Sequence, residues 1–221
     1  MSRLAMLSLL LIATCAAFAQ TASHPVPPAG GQAIWEPPAW DFPRELPQAT
    51  VAKEMLATLR VSGFRITLEE TKMDDVKTRF GGTFGQSGEA GEFYEWLCYQ
   101  GTDSKGRWAL WLGSGEINGG TVGDFQWRRL AEGAVLDERC RKVQGTSDSV
   151  ALPIALQLGM SEKDVLKTLG PPSARRGDTL IWLHEHQETI HWEPYTSDNT
   201  VMILLRDGVV WAIQASKTTS D

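Results

Sequence analysis

Ile154-Ala-Leu-Gln-Leu-Gly-Met-Ser-Glu-Lys-Asp-Val-Leu-Lys-Thr-Leu-Gly-Pro-Pro172 carries both ends of one short helix. Ser161 suits the N-cap, which places Asp164 at N3 beside the unpaired first-turn amides and sets Met160 against Val165 as a hydrophobic staple. Leu166 and Leu169 extend a narrow apolar stripe. Gly170 then allows a left-handed C-cap, and Pro171-Pro172 cannot continue the helix. Strand-like runs follow.

A weaker version of the same pattern lies at Phe64-Arg-Ile-Thr-Leu-Glu-Glu-Thr-Lys-Met-Asp-Asp-Val-Lys-Thr-Arg-Phe-Gly-Gly82. Thr71 with Asp74 repeats the cap, Val76 and Phe80 repeat the spacing of Val165 and Leu169, and Gly81-Gly82 replaces the Gly170-Pro171 terminator. Thr71 stands five residues before Val76, whereas Ser161 stands four before Val165, and Glu70 takes the place of Met160, so the staple is missing. Strand-like runs again follow the helix, and a repeated unit implies a repeated piece of structure. The expected fold is α+β: two tandem modules, each a helix packed on an antiparallel sheet of about three or four strands.

The 221 residues suffice for one large domain or two small ones, and a formal net charge of −6 gives no general affinity for nucleic acid. The reading divides the chain into a signal peptide (1–19), a Pro-rich arm (20–48), a first helix-plus-sheet module (49–145) and a second (146–221). In the signal segment Arg3 is a minimal charged n-region, Leu4 to Phe18 the apolar stretch and Ala17-Phe18-Ala19 the cleavage tripeptide, which predicts a periplasmic or secreted protein with no membrane span in the mature chain. A lipoprotein would use Cys15, but Thr14 stands where Gly, Ala or Ser is usual. Cleavage leaves Cys98 and Cys140, an even count in an oxidising compartment and the arithmetic of one disulfide; two separately buried thiols are the alternative.

The arm holds seven of the eleven prolines, which deny it a regular element, yet Ile34, Trp35, Trp40 and Phe42 suit a segment lying against the folded body or a partner. Thr50 can cap a helix from Val51 to Arg60, ended by Ser62-Gly63. Alternating apolar residues predict strands over 93–100, 107–113, 124–130, 178–186, 200–206 and 209–215. Between the last two, Asp207-Gly208 is a two-residue turn that accepts positive φ, the strongest local signal in the chain.

Leu158-Gly-Met-Ser followed by Asp164-Val165 and Leu169-Gly-Pro-Pro172, running into strands and a late Asp-Gly hairpin, resembles the module of the SmpA/OmlA (BamE-type) outer-membrane assembly lipoproteins. Two such units in one exported chain are similar to the tandem arrangement of β-lactamase inhibitory protein. The resemblance covers about 64–130 and 154–215, and implies a non-catalytic exported protein that binds another protein of the envelope or exterior and needs no cofactor.

The nine tryptophans are the unusual feature of the composition, and within strands such rings are more often core than platform. Trp108, Trp111, Trp127, Trp182 and Trp211 are nevertheless of the type that anchors interfaces. Trp108 and Trp111, three apart on one strand, must point to opposite faces, so one of them is expected away from the helix-covered side. The alternative function is metal binding: His184 and His186 share a strand face, and a turn at Gln187-Glu188 would set His191 opposite His184, giving the three ligands of an open zinc site. A half-exposed polar strand face explains the same residues without a metal. No catalytic triad, phosphate loop or carboxylate pair is argued from the spacing.

Overall fold

The computed structural model describes residues 33–40, 48–51, 53–89, 91–143, 150–190 and 192–220. The signal segment, Cys15 and Phe42 lie outside them, as does the expected boundary between the two modules. In chain order the elements are β1 (Thr58–Val61), β2 (Phe64–Thr67), α1 (Met73–Phe80), β3 (Gly85–Ser87), β4 (Tyr94–Asp103), β5 (Gly106–Gly115), a 3-10 turn (Glu116–Asn118), β6 (Asp124–Arg129), β7 (Arg141–Lys142), β8 (Val150–Ala151), α2 (Glu162–Leu169), β9 (Ala174–Arg176), β10 (Thr179–Ile190), β11 (Glu193–Arg206) and β12 (Val209–Ser220).

The two expected helix-on-sheet modules do not form. β6 pairs with β12 from Arg128 opposite Ala212 to Asp124 opposite Ser216, so strands from both halves of the chain join in one nine-stranded sheet. Its order is β3-β4-β5-β6-β12-β11-β10-β9, with β7 beside β4, and β2-β1-β8 makes a separate small sheet. The physical reason lies at the seam. Left alone, β6 and β12 would each expose a row of amides and carbonyls beside large apolar side chains. Paired, they satisfy that edge and merge Phe125 and Trp127 with Ile213 and Ala215 into one core.

Both helices lie on one face of this sheet, and their entry is set by backbone bonds to the turns that precede β6 and β12. Met73 N donates to Gly120 O (2.9 Å) and Glu162 N to Gly208 O (3.0 Å). Ser161 Oγ accepts from Asp164 N (3.2 Å), as the cap signal predicts. In α1 the cap is Lys72, not Thr71, with no side-chain cap bond. Lys72 stands four before Val76, which removes the one-residue mismatch between the two stretches, and Thr71 Oγ1 instead accepts from Thr67 N (2.9 Å).

The helix expected over Val51–Arg60 is also absent. Asn199 Oδ1 accepts from the amides of Met55 (2.9 Å) and Leu56 (3.3 Å), donors a helix would spend on its own carbonyls. From Thr58 the chain is strand, and Ser62 and Gly63, at φ 44° and 82°, close a two-residue hairpin with Val61 opposite Phe64. Asp207-Gly208 forms the second such turn, at φ 52° and 73°.

On the helix-covered face Met73, Val76, Val165 and Leu169 pack on Trp108, Leu110, Phe125, Trp182 and Ile203 in one continuous core. Trp111 points the other way, as alternation requires, yet it too is buried, at 0 % exposure. The cover on that face is a second, smaller cluster of Trp96, Cys98, Ala109, Trp111, Leu136 and Cys140, with Ile34 and Trp35 packed against it.

Candidate functional site

That second face is where a Pro-rich segment, unable to form a regular element, becomes a docked strap. Ile34 N donates to Val135 O (2.9 Å) and Asp137 N to Ile34 O (3.0 Å), joining the arm to the 131–143 connector. The connector is held in turn by the Cys98–Cys140 disulfide and by parallel pairing of β7 with β4. The Trp35 carbonyl accepts both the Trp96 indole (3.2 Å) and the Trp111 indole (3.1 Å), and Arg139 lies 4.3 Å over the Trp35 ring. Two buried indole donors thus share one acceptor that only the docked arm supplies.

Residues 36–39 then cross the sheet and line two cavities. The first, of about 310 Å³, is bordered by Trp40, Tyr94, Trp96, Asp124, Gln126 and Gln214. Tyr94 donates to the Asp124 carboxylate at 3.1 Å from either oxygen, and Trp40 Nε1 donates to Gln126 Oε1 (2.7 Å). Gln214 Oε1 is buried there and has no partner among the described residues. Burial pushes Asp124 up to about 6 against the opposing hydrogen bond from Tyr94. Burial, then the Asp124 charge, pushes the Tyr94 phenol well above its ordinary range. Chemically the pair is a carboxylic acid that titrates close to neutral pH beside a phenol that does not.

A carboxyl raised on folding binds its proton more tightly in the native state, so its contribution is fully present below the unfolded value of about 3.9 and is lost as pH rises through about 6. Asp124→Asn should therefore be more stable than the parent at pH 8, by about 2 kcal/mol once screening by the cavity opening is allowed for, and nearly equal at pH 4. Urea melts at the two pH values measure this. An equal difference at both would show that Asp124 is not the titrating group.

The five tryptophans expected as anchors are placed differently from one another. Trp108, Trp127 and Trp182 belong to the core beneath the helices, with the Trp182 indole donating to Gly170 O (3.3 Å) at the end of α2. Trp111 lies under the arm. Trp211 alone is partly exposed, with the Arg206 guanidinium 4.0 Å over its ring. The exposed tryptophan is Trp192, 96 % accessible at the end of the β10–β11 hairpin and at φ 75°. The sequence does not single it out as an anchor, since a turn at Gln187-Glu188 enters only as a condition of the metal-binding alternative; the local hint is an indole among charged residues shortly before Pro194.

β10 in fact continues through Gln187 and Glu188, which pair with Thr196 and Tyr195, and Ile190 lies opposite Glu193. His184 therefore faces Asn199 and His186 faces Ser197. Their rings stack 6.3 Å apart, and His184 Nδ1 bonds the Val51 carbonyl (2.8 Å). His191 lies outside the described residues, and among those described no group of three His, Cys, Asp or Glu side chains could hold a metal ion. Nor is any helix among them long and apolar enough to cross a membrane.

The fold and site thus define a β-rich protein with two short helices on one face of its sheet and a disulfide-anchored strap on the other. No family model, curated protein or solved structure matches the chain, so the resemblance to the SmpA/OmlA and β-lactamase-inhibitory proteins rests on the residues quoted for it.

Proposed function

We propose that this is a non-catalytic, exported protein, periplasmic or secreted, that binds another protein of the envelope or exterior through the tip of the β10–β11 hairpin. One observation carries the reading: Trp192 presents nearly its whole side chain to solvent from a left-handed backbone conformation. A bulky residue in that conformation costs on the order of 1–2 kcal/mol, and an exposed indole forgoes the burial that stabilises the other rings. Both costs are offset when the ring enters an apolar cleft on a partner, where it buries roughly 150–250 Å². The hairpin behind it is rigid, since β10 pairs with β11 along its whole length and β11 with β12 from Thr196 onward. The anchor is presented in one geometry, with little ordering entropy lost on binding.

Trp192→Ala should leave stability within about 0.5 kcal/mol, as expected for a surface site. Loss of a central aromatic anchor of about 2 kcal/mol should weaken partner binding on the order of thirtyfold. A photocrosslinking residue placed at 192 in the producing cell should yield one protein adduct that the same residue at Lys167, exposed on α2, does not. Equal labelling from both positions, or none from 192, would remove the basis for this function.

A further inference from the structure

The second cavity beneath the arm, about 390 Å³ in volume, is lined by two cations that have no ion-pair partner among the described residues. Arg128 on β6 and Arg206 at the end of β11 both line it, and among the described residues neither makes an ion pair, whereas Arg129, Arg139 and Arg175 each do. Glu36, at the rim, is exposed and pairs with neither. Across the sheet Arg128 has Ala109 and Ala212 as neighbours, both fully buried, so two of the smallest side chains flank the longest one. Burial, and then the charge of Arg206, push the Arg128 guanidinium down to about 10. Arg206 is exposed to solvent and stacks on Trp211, whereas Arg128 is half-buried with no counter-charge among the described residues, which costs free energy.

We infer that this cavity binds a small amphiphilic carboxylate, its oxygens received by Arg128 and Arg206 and its apolar body packed against Trp211, Pro37 and Pro38. Guanidinium donors match a planar carboxylate in paired hydrogen bonds, and removal from water strengthens them. Apart from Glu36 at the rim and Arg129, which is paired with Asp103, the remainder of the lining is aromatic or aliphatic, which suits a hydrocarbon or ring body and not a bare inorganic anion. Arg206 is already stacked on Trp211, so one of the two donors is oriented before the ligand arrives, and Arg128 is confined by its strand. The site is separate from the hairpin tip and does not depend on its role.

The test is titration of the intact protein with 4-phenylbutyrate, 4-phenylbutanamide and acetate, followed by tryptophan fluorescence and calorimetry. The acid should bind at least tenfold more tightly than the amide, which lacks the charge, and than acetate, which lacks the body. Arg206→Gln and Arg128→Gln should each reduce the preference for acid over amide to less than threefold, while Lys167→Gln, on the exposed side of α2, leaves it unchanged. Should Arg128→Gln fail to fold, the wild-type comparison and Arg206→Gln decide the matter. Equal affinity for acid and amide, no binding of either, or a preference that survives Arg206→Gln would overturn the assignment.

Discussion

Replacing Cys98 and Cys140 together by alanine is expected to cost the fold about 4 kcal/mol and to release the arm from the sheet. The bond joins residues 42 apart in sequence, and opening a loop of that length restores roughly this much chain entropy to the unfolded state. The second effect is structural. Cys140 fixes the connector whose Val135 and Asp137 backbone groups hold Ile34, so freeing the connector loosens the strap as well. Once the Trp35 carbonyl withdraws, the Trp96 and Trp111 indoles lose their shared acceptor and meet water. A urea melt should show the lower midpoint, tryptophan emission should shift to the red, and a protease should cut within 33–40 at urea concentrations far below the midpoint. A loss under about 1 kcal/mol with the arm still protected would mean that apolar packing, and not the covalent link, keeps the connector in place.

Gly101→Val should destabilise by at least about 3 kcal/mol, although Gly101 has an ordinary extended backbone that valine favours in strands. Gly101 lies directly across from Trp108 in the β4–β5 pair, and a Cβ built there collides with the ring carbons of that indole. Trp108 is 1 % exposed and meets Trp127 edge-on, with ring centroids 6.5 Å apart, so it has nowhere to move without disturbing the centre of the core. Gly115→Ala is the matching control: the nearest atom to its new Cβ would be Asn118 Oδ1 at 3.5 Å, an ordinary contact, and the change should stay within about 0.5 kcal/mol. Equal losses for the two variants would show that backbone entropy, and not the ring, sets the requirement for glycine.

Gly101 also shows where reading the chain alone stopped. The strands expected over 93–100 and 107–113 stop short of it, because glycine signals turns locally; its actual role is to make room for a ring seven residues away on the next strand. The same distinction holds through the molecule. Asp207-Gly208, the Ser161 cap, the Gly170 stop and the alternation of β4, β5, β6 and β12 were all legible, because each depends on the conformational preferences of a few adjacent residues. So was the opposition of Trp108 and Trp111, which follows from the pleat. The disulfide follows from a count of two cysteines and a compartment, and the structure makes it.

What sequence could not decide is which edges meet. Alternation assigns a side chain to a face but names no neighbouring strand, so nothing in 124–129 or 209–216 declares that β6 and β12 pair and turn two expected sheets into one. The competition between a helix and an extended segment at 51–60 was settled by Asn199, some 140 residues away, whose amide oxygen takes the Met55 and Leu56 donors. Burial of Trp111, exposure of Trp192 and the meeting of Arg128 with Arg206 likewise depend on segments distant in the chain. Local residue chemistry by itself determined the caps, turns and strand faces of this protein; long-range pairing decided which surfaces were covered, because the free energy of burial belongs to neighbours in space and not in sequence.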